Sequence, residues 1–147
     1  MIDGVIITPL KQIVDERGKV MHMLRNDSER FTKFGEVYFS SIYPKKIKAW
    51  HFHELMTINY AAISGKIKFV LFDDRKSSPT KGEVQEIILS EKNYQLVTVP
   101  PMIWNGFSCL GEEPSIIANF TDIPHNPNEI KRKKFDDKEI PYKWDNL

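Results

Sequence analysis

Cysteine occurs once, at Cys109, so neither an intrachain disulfide nor a cysteine-based zinc cluster can form. That usage fits a reducing compartment. No basic residue stands near Cys109 in the sequence to lower its pKa, which argues against a nucleophilic role. Surplus charge is missing too. With 21 basic and 20 acidic residues the formal net charge is +1, which points to neither nucleic acid nor an acidic membrane as partner. The densest basic run, Lys131-Arg132-Lys133-Lys134, leads straight into Asp136-Asp137 and reads as a solvated surface segment. No apolar run approaches the ~20 residues that span a bilayer. The start, Met1-Ile2-Asp3-Gly4, lacks the charged and apolar stretches of a secretory signal, so a cytoplasmic location is expected. Helical periodicity is also scarce: residues 90–93 and 128–133 are short helical turns at most.

What remains is a series of short β-rich runs separated by turn signals. Residues 5–7, 19–24, 36–42, 47–52, 57–63, 66–72, 84–89, 95–99 and 115–120 all fit. Pro9, Pro44, the Asp15-Glu16-Arg17-Gly18 segment and the Ser77-Ser78-Pro79-Thr80 loop punctuate them, and Ser64-Gly65 reads as a tight hairpin turn. In Lys66-Ile67-Lys68-Phe69 polar and apolar residues alternate with the strand period of two. Many short strands at this spacing indicate an all-β sandwich or barrel. A chain of 147 residues, 41% hydrophobic and 28% charged, matches one globular domain, residues 1–147. Its last segment, residues 135–147, is polar apart from Ile140, Pro141, Tyr142 and Trp144, and is expected to pack over the body through them.

Chemistry concentrates in Lys48-Ala49-Trp50-His51-Phe52-His53. On a strand, positions 49, 51 and 53 share one face, so the two imidazoles project the same way. Three readings fit: a metal pair, a base with a neighbour that tunes it, or two unrelated histidines, one buried and one at a strand end. A metal needs a third ligand. Metal-binding cupins supply a Glu shortly after His-x-His and a later His; here those places hold Met56-Thr57-Ile58 and Asn105, so no metal is expected. Trp50 and Trp104 are expected to pack in or beside the barrel, or to stack on a base or sugar face. His22, in a strand, and His125, in a proline-rich loop, have no evident partner.

From Ile2 to Trp144 the sequence resembles the deoxysugar 3,5-epimerase family of cupins. Asp15-Glu16-Arg17-Gly18 is similar to that family's early Asp-x-Arg-Gly, and Lys48-Ala49-Trp50-His51 stands where the family has Arg-Gly-Leu-His. Asp73-Asp74-Arg75 followed by Ser78-Pro79-Thr80 resembles its Asp-x-Arg and Ser-Pro-Thr elements. Residues 100–107 stand for Pro-x-Gly-x-x-His-Gly-Phe. The resemblance implies a double-stranded β-helix jelly roll acting on a nucleotide-linked 4-keto-6-deoxyhexose. It implies no organic cofactor, and a homodimer in which the Arg17 segment reaches a neighbouring site. A ketone at C4 acidifies the C3 and C5 protons, so a base and an acid suffice. The resemblance makes His51 the base. Lys48 stands by for the enolate oxygen or a phosphate, and Arg17 for the diphosphate.

The departures also lie in the site. The family's catalytic Lys aligns near Ile58, beside the polar Asn59; its acidic Tyr aligns at Asn119; its later His aligns at Asn105. The Asp that partners its base belongs to a C-terminal extension beyond the position of Leu147. Asparagine cannot act as an ordinary general acid, though it can hydrogen-bond an enolate or a hydroxyl. The expected catalytic set is therefore His51, Lys48, Asn59 and Asn119, with Arg17, His53, Tyr60, Trp104 and Asn105 binding substrate. Tyr38, Tyr60 and His53 are the candidate acids. A single epimerisation, at C3 or C5, is expected ahead of both. Two alternatives stay open: a sugar ketoisomerase, and a non-catalytic cupin that binds the same nucleotide sugar.

Overall fold

The computed structural model describes residues 1–145; Asn146 and Leu147, the last two residues of the expected packing segment, lie outside the described residues. Among the described residues twelve strands form and there is no helix. One five-stranded antiparallel sheet has the order β1 (Ile6–Pro9), β9 (Gln95–Val99), β6 (Ile58–Ser64), β11 (Ser115–Thr121), β4 (Glu36–Ile42). The other runs β12 (Ile130–Arg132), β5 (Ile47–His53), β10 (Ile103–Cys109), β7 (Lys66–Asp73), β8 (Val84–Ser90). A separate hairpin pairs β2 (Gln12–Asp15) with β3 (Gly18–Met21). This is the expected all-β jelly roll.

Period-two side-chain alternation explains how the sheets face each other. Ile58, Tyr60 and Ala62 of β6, Ile67, Phe69 and Leu71 of β7, and Ile117 of β11 meet in one buried cluster between the sheets. The intervening residues go outward. Trp50, Val70, Phe72 and Trp104 cover the outer face of the second sheet, and Ile140 and Trp144 close over them. Trp50 is fully buried, with its ring 5.3 Å from that of Trp144 and its indole N–H donating to the Phe135 carbonyl at 3.3 Å. Removing such a side chain typically costs about 3–5 kcal/mol. Both Trp50 and Trp104 therefore belong to this outer packing, and the stretch after residue 134 holds the wall of the barrel from behind.

Several local expectations change. The run 19–24 ends as a strand at Met21; His22 lies beyond it, exposed, while Met21, Met23 and Leu24 pack against Tyr94 and Leu96 on the outer face of the first sheet. Residues 128–133 form no helical turn: Ile130–Arg132 pairs with β5 along its free edge, because those backbone groups find partners in β5 rather than in each other. β10 shows no alternation, since all seven residues are buried between two neighbours. Its Gly106 is required by close approach: a Cβ there would stand 2.4 Å from the Ala49 Cβ. Gly65, at φ +78°, makes the expected turn between β6 and β7.

Candidate active site

The packed core fills only part of the space between the sheets. At the other end lies an open cavity of about 580 Å³, the size of a small-ligand site. His51 and His53 of β5 point into it while Trp50 and Phe52 point outward, as the strand period predicts; a bulge at Trp50 breaks that period, so Ala49 packs on the outer face and Lys48, paired with the inward Phe107, takes the cavity side. The facing sheet contributes Glu36, Tyr38 and Ser40 from β4, Tyr60 from β6 and Asn119 from β11. The imidazoles and the phenols thus look at one another from opposite sheets.

Burial sets the ionisation of the walls. It is the main reason the His51 pKa falls to about 4, and neighbouring Arg132, His53 and Lys48 add to the effect. His51 is therefore a neutral imidazole at pH 7. Tyr38 is pushed up by burial and by the carboxylates of Glu36 and Glu129, with Arg132 pulling the other way. Tyr60, buried outright, is raised further. Its hydroxyl donates to the Asn105 Oδ1 at 3.2 Å, so that proton is held inside the wall.

Beside His51, the His53 Nδ1 lies 2.5 Å from a carboxylate oxygen of Glu129, a residue only 3% exposed. The other Glu129 oxygen accepts from the backbone N–H groups of Leu55 (3.2 Å) and Met56 (3.3 Å). Burial alone would raise the Glu129 pKa, but His53 and the two amides outweigh it and hold the carboxyl below its usual range. With its Nδ1 held by Glu129, His53 forms part of the cavity wall.

The sequence expectations divide on this geometry. His51, His53, Lys48, Tyr60 and Asn119 line one cavity. Asn59 does not. It is on the other face of β6, where its Oδ1 accepts from the Thr98 hydroxyl at 2.6 Å; the strand period that brings Tyr60 inward sends its neighbour out. Trp104 is likewise outside, its ring 4.9 Å from that of Phe52. Asn105 sits behind the cavity surface. Its amide donates to the carbonyls of His51 (3.3 Å) and Ile103 (3.4 Å), fastening the strand that carries His51. The Nδ2 of Asn119 is occupied by the Tyr38 and Ile117 carbonyls and the Ser40 hydroxyl, and its Oδ1 has no partner among the described residues. Arg17 belongs to the exposed β2–β3 hairpin, paired with Asp15 at 2.7 Å, and does not line this cavity.

Sequence reasoning missed Glu129 and Arg132, both brought in by β12 and the residues before it. The only sequence signal was a polar stretch interrupted by Ile130, too short to read as a strand.

A jelly roll with a neutral imidazole on one sheet and phenols on the other is built for proton transfer in a cavity open to a small ligand. The sequence profile of the dTDP-4-dehydrorhamnose 3,5-epimerase family matches residues 1–147, and this chain belongs to that family. It is 35% identical over 146 residues to the Bacillus subtilis spore coat polysaccharide biosynthesis protein SpsL, covering 98% of this chain and 97% of that one. It is 33% identical over 143 residues to the probable low-salt glycan biosynthesis epimerase Agl13 of Haloferax volcanii, covering 96% and 88%. The crystal structure of a dTDP sugar isomerase from Desulfovibrio desulfuricans G20 superposes with a TM-score of 0.95 at 44% identity, over 97% of this chain and 92% of that one. The chain is an enzyme of the nucleotide-sugar epimerase type.

Proposed function

We propose that this enzyme inverts C3 or C5 of a nucleotide-linked 4-keto-6-deoxyhexose, with His51 as the base and Tyr38 as the acid. The observation that carries the reading is the placement of these two groups on opposite sheets of one cavity. Inversion requires a proton to leave one face of the sugar and another to arrive on the other face. The neutral His51 ring takes the proton, and the C–H electrons pass to C4 and its oxygen as an enolate. The Tyr38 hydroxyl then protonates the same carbon from the opposite side. Solvent returns the proton from imidazolium to phenolate, so the cycle needs no cofactor. Among the cavity phenols Tyr38 suits the role because its hydroxyl has no hydrogen-bond partner among the described residues, whereas Tyr60 is committed to Asn105. Lys48, exposed at the cavity mouth, supplies a cation for the incoming diphosphate. The free Oδ1 of Asn119 suits a sugar hydroxyl.

A homodimer completes the proposal. Arg17 stands away from its own cavity, and the hairpin that carries it exposes Ile13, Val14 and Val20 (47, 70 and 57%), apolar surface of the kind an interface covers. In the dimer Arg17 would serve the diphosphate of the neighbouring site. The single free cysteine, Cys109, fits a cytoplasmic location. No helix among the described residues is long and apolar enough to cross a membrane.

The test is deuterium incorporation at C3 and C5 of dTDP-4-keto-6-deoxyglucose in D2O. Exchange is expected from the native enzyme and should fall by about 10²–10⁴-fold in His51→Gln. In Tyr38→Phe exchange should outlast inversion, since abstraction survives the loss of the acid. Tight binding without exchange would make the protein a nucleotide-sugar-binding cupin instead.

A further inference from the structure

Breaking a C–H bond beside a ketone leaves charge on the carbonyl oxygen, one carbon away from the bond that breaks. The group that receives the charge must stand within a side chain's reach of the base. The residue in that place comes from the basic run 131–134. In the β12–β5 pairing Arg132 stands directly opposite His51, and directly opposed residues of an antiparallel pair send their side chains to the same face. Alternation then sorts the run. Lys131 and Lys133 go to the outer face, their ammonium groups over the rings of Phe52 (5.5 Å) and Trp104 (5.1 Å), while Ile130 and Arg132 line the cavity.

The counter-ions sort the same way. Lys131 pairs with Glu54, and Lys133 with Asp137 and Glu139. Among the described residues no carboxylate is paired with Arg132. A guanidinium beside a neutral base, facing a cavity and without a counter-ion, is a ready anion site. After burial, Arg132 is also the leading influence that holds down the His51 pKa, and it draws down that of Tyr38, so its charge is felt at both proton-transfer groups.

We propose that Arg132 is a catalytic residue that binds the C4 oxygen of the sugar and takes its charge as the enolate forms. The inference rests on the reading of His51 as the base. Position favours the C4 oxygen over the diphosphate: C4 is adjacent to both acidic carbons, whereas the diphosphate hangs from C1, across the ring. Lys48, further along β5 at the mouth, is the better-placed partner for phosphate.

Arg132 is exposed and ends a three-residue edge strand, so its replacement leaves the core intact. In Arg132→Gln, turnover in the D2O exchange assay at saturating dTDP-4-keto-6-deoxyglucose should fall at least 10²-fold. The Kd for dTDP alone should stay within about threefold. Arg132→Lys should recover part of the rate, since it keeps the charge without the fork. The His51 imidazole, followed by NMR, should titrate higher in Arg132→Gln than in the native chain. The other charged or titratable groups around that ring are Lys48 and His53 on its own strand, Glu36 and Tyr38 on β4, and Tyr60 on β6, with His125 and Glu129 beyond; all are unchanged by the substitution. A tenfold or greater loss of dTDP affinity with turnover preserved would make Arg132 a phosphate anchor and overturn the proposal. Native exchange that vanishes in His51→Gln but survives in Arg132→Gln would overturn Arg132 alone. No exchange from the native enzyme would overturn the reading of the base, and this one with it.

Discussion

Replacing Glu129 by alanine should cost far more than its position near the chain end suggests. The side chain is 3% exposed and satisfies three donors, the His53 ring at 2.5 Å and the amides of Leu55 and Met56 at 3.2 and 3.3 Å. Truncation removes the acceptor of all three at once, and each buried donor left unpaired costs about 1–3 kcal/mol. Water entering from the cavity can reach some of them, so the net loss is placed at about 3–5 kcal/mol, as for other broken buried pairs. At this chain length each kcal/mol moves the Tm by about 3 °C, which predicts a drop of about 10–15 °C. Glu129→Gln keeps an amide oxygen for the two backbone groups and should lose only about 1–2 kcal/mol. The assay is urea and thermal unfolding of both variants at pH 7. The folded carboxyl sits below its usual range, so its contribution is present above that range and is lost as pH falls through the folded value. A loss below about 1 kcal/mol in Glu129→Ala would refute the reasoning, because the donors would then be satisfied without it.

Two further outcomes follow from packing and ionisation. Gly106→Ala places a Cβ 2.4 Å from the Ala49 Cβ and 3.0 Å from its Cα, so it should lose about 1–3 kcal/mol in urea unfolding, and the added Ala49→Gly change should restore part of that. Because burial lowers the His51 pKa to about 4, kcat/KM should keep its plateau on acidification to about that pH instead of falling near 6.5. The unfolded imidazole binds a proton between about 6.5 and 4 that the folded one refuses. Stability should therefore fall as pH drops through this window, by at most about 3 kcal/mol, and fall less in His51→Gln.

The architecture was legible because it depends on local rules. Turn residues at Ser64-Gly65 and alternation in Lys66-Ile67-Lys68-Phe69 mark strands whatever they later pair with. The same period put His51 and His53 on one face and Trp50 on the other, as found. Asn59 fails by that rule too: the family's Lys aligns near Ile58, beside it, and a shift of one position on a strand exchanges cavity for exterior. The inward residue is Tyr60.

By itself, then, the sequence determined the class of fold, the family and the strand bearing the imidazoles, since each is encoded in neighbouring residues or an ordered string of motifs. Tertiary structure alone decided the company they keep. Glu129 reaches His53 from 76 residues away, Arg132 faces His51 across an unforeseen edge strand, and Tyr38 looks back from the other sheet. Register between distant strands is fixed by the packing of the whole barrel, and no local period contains it.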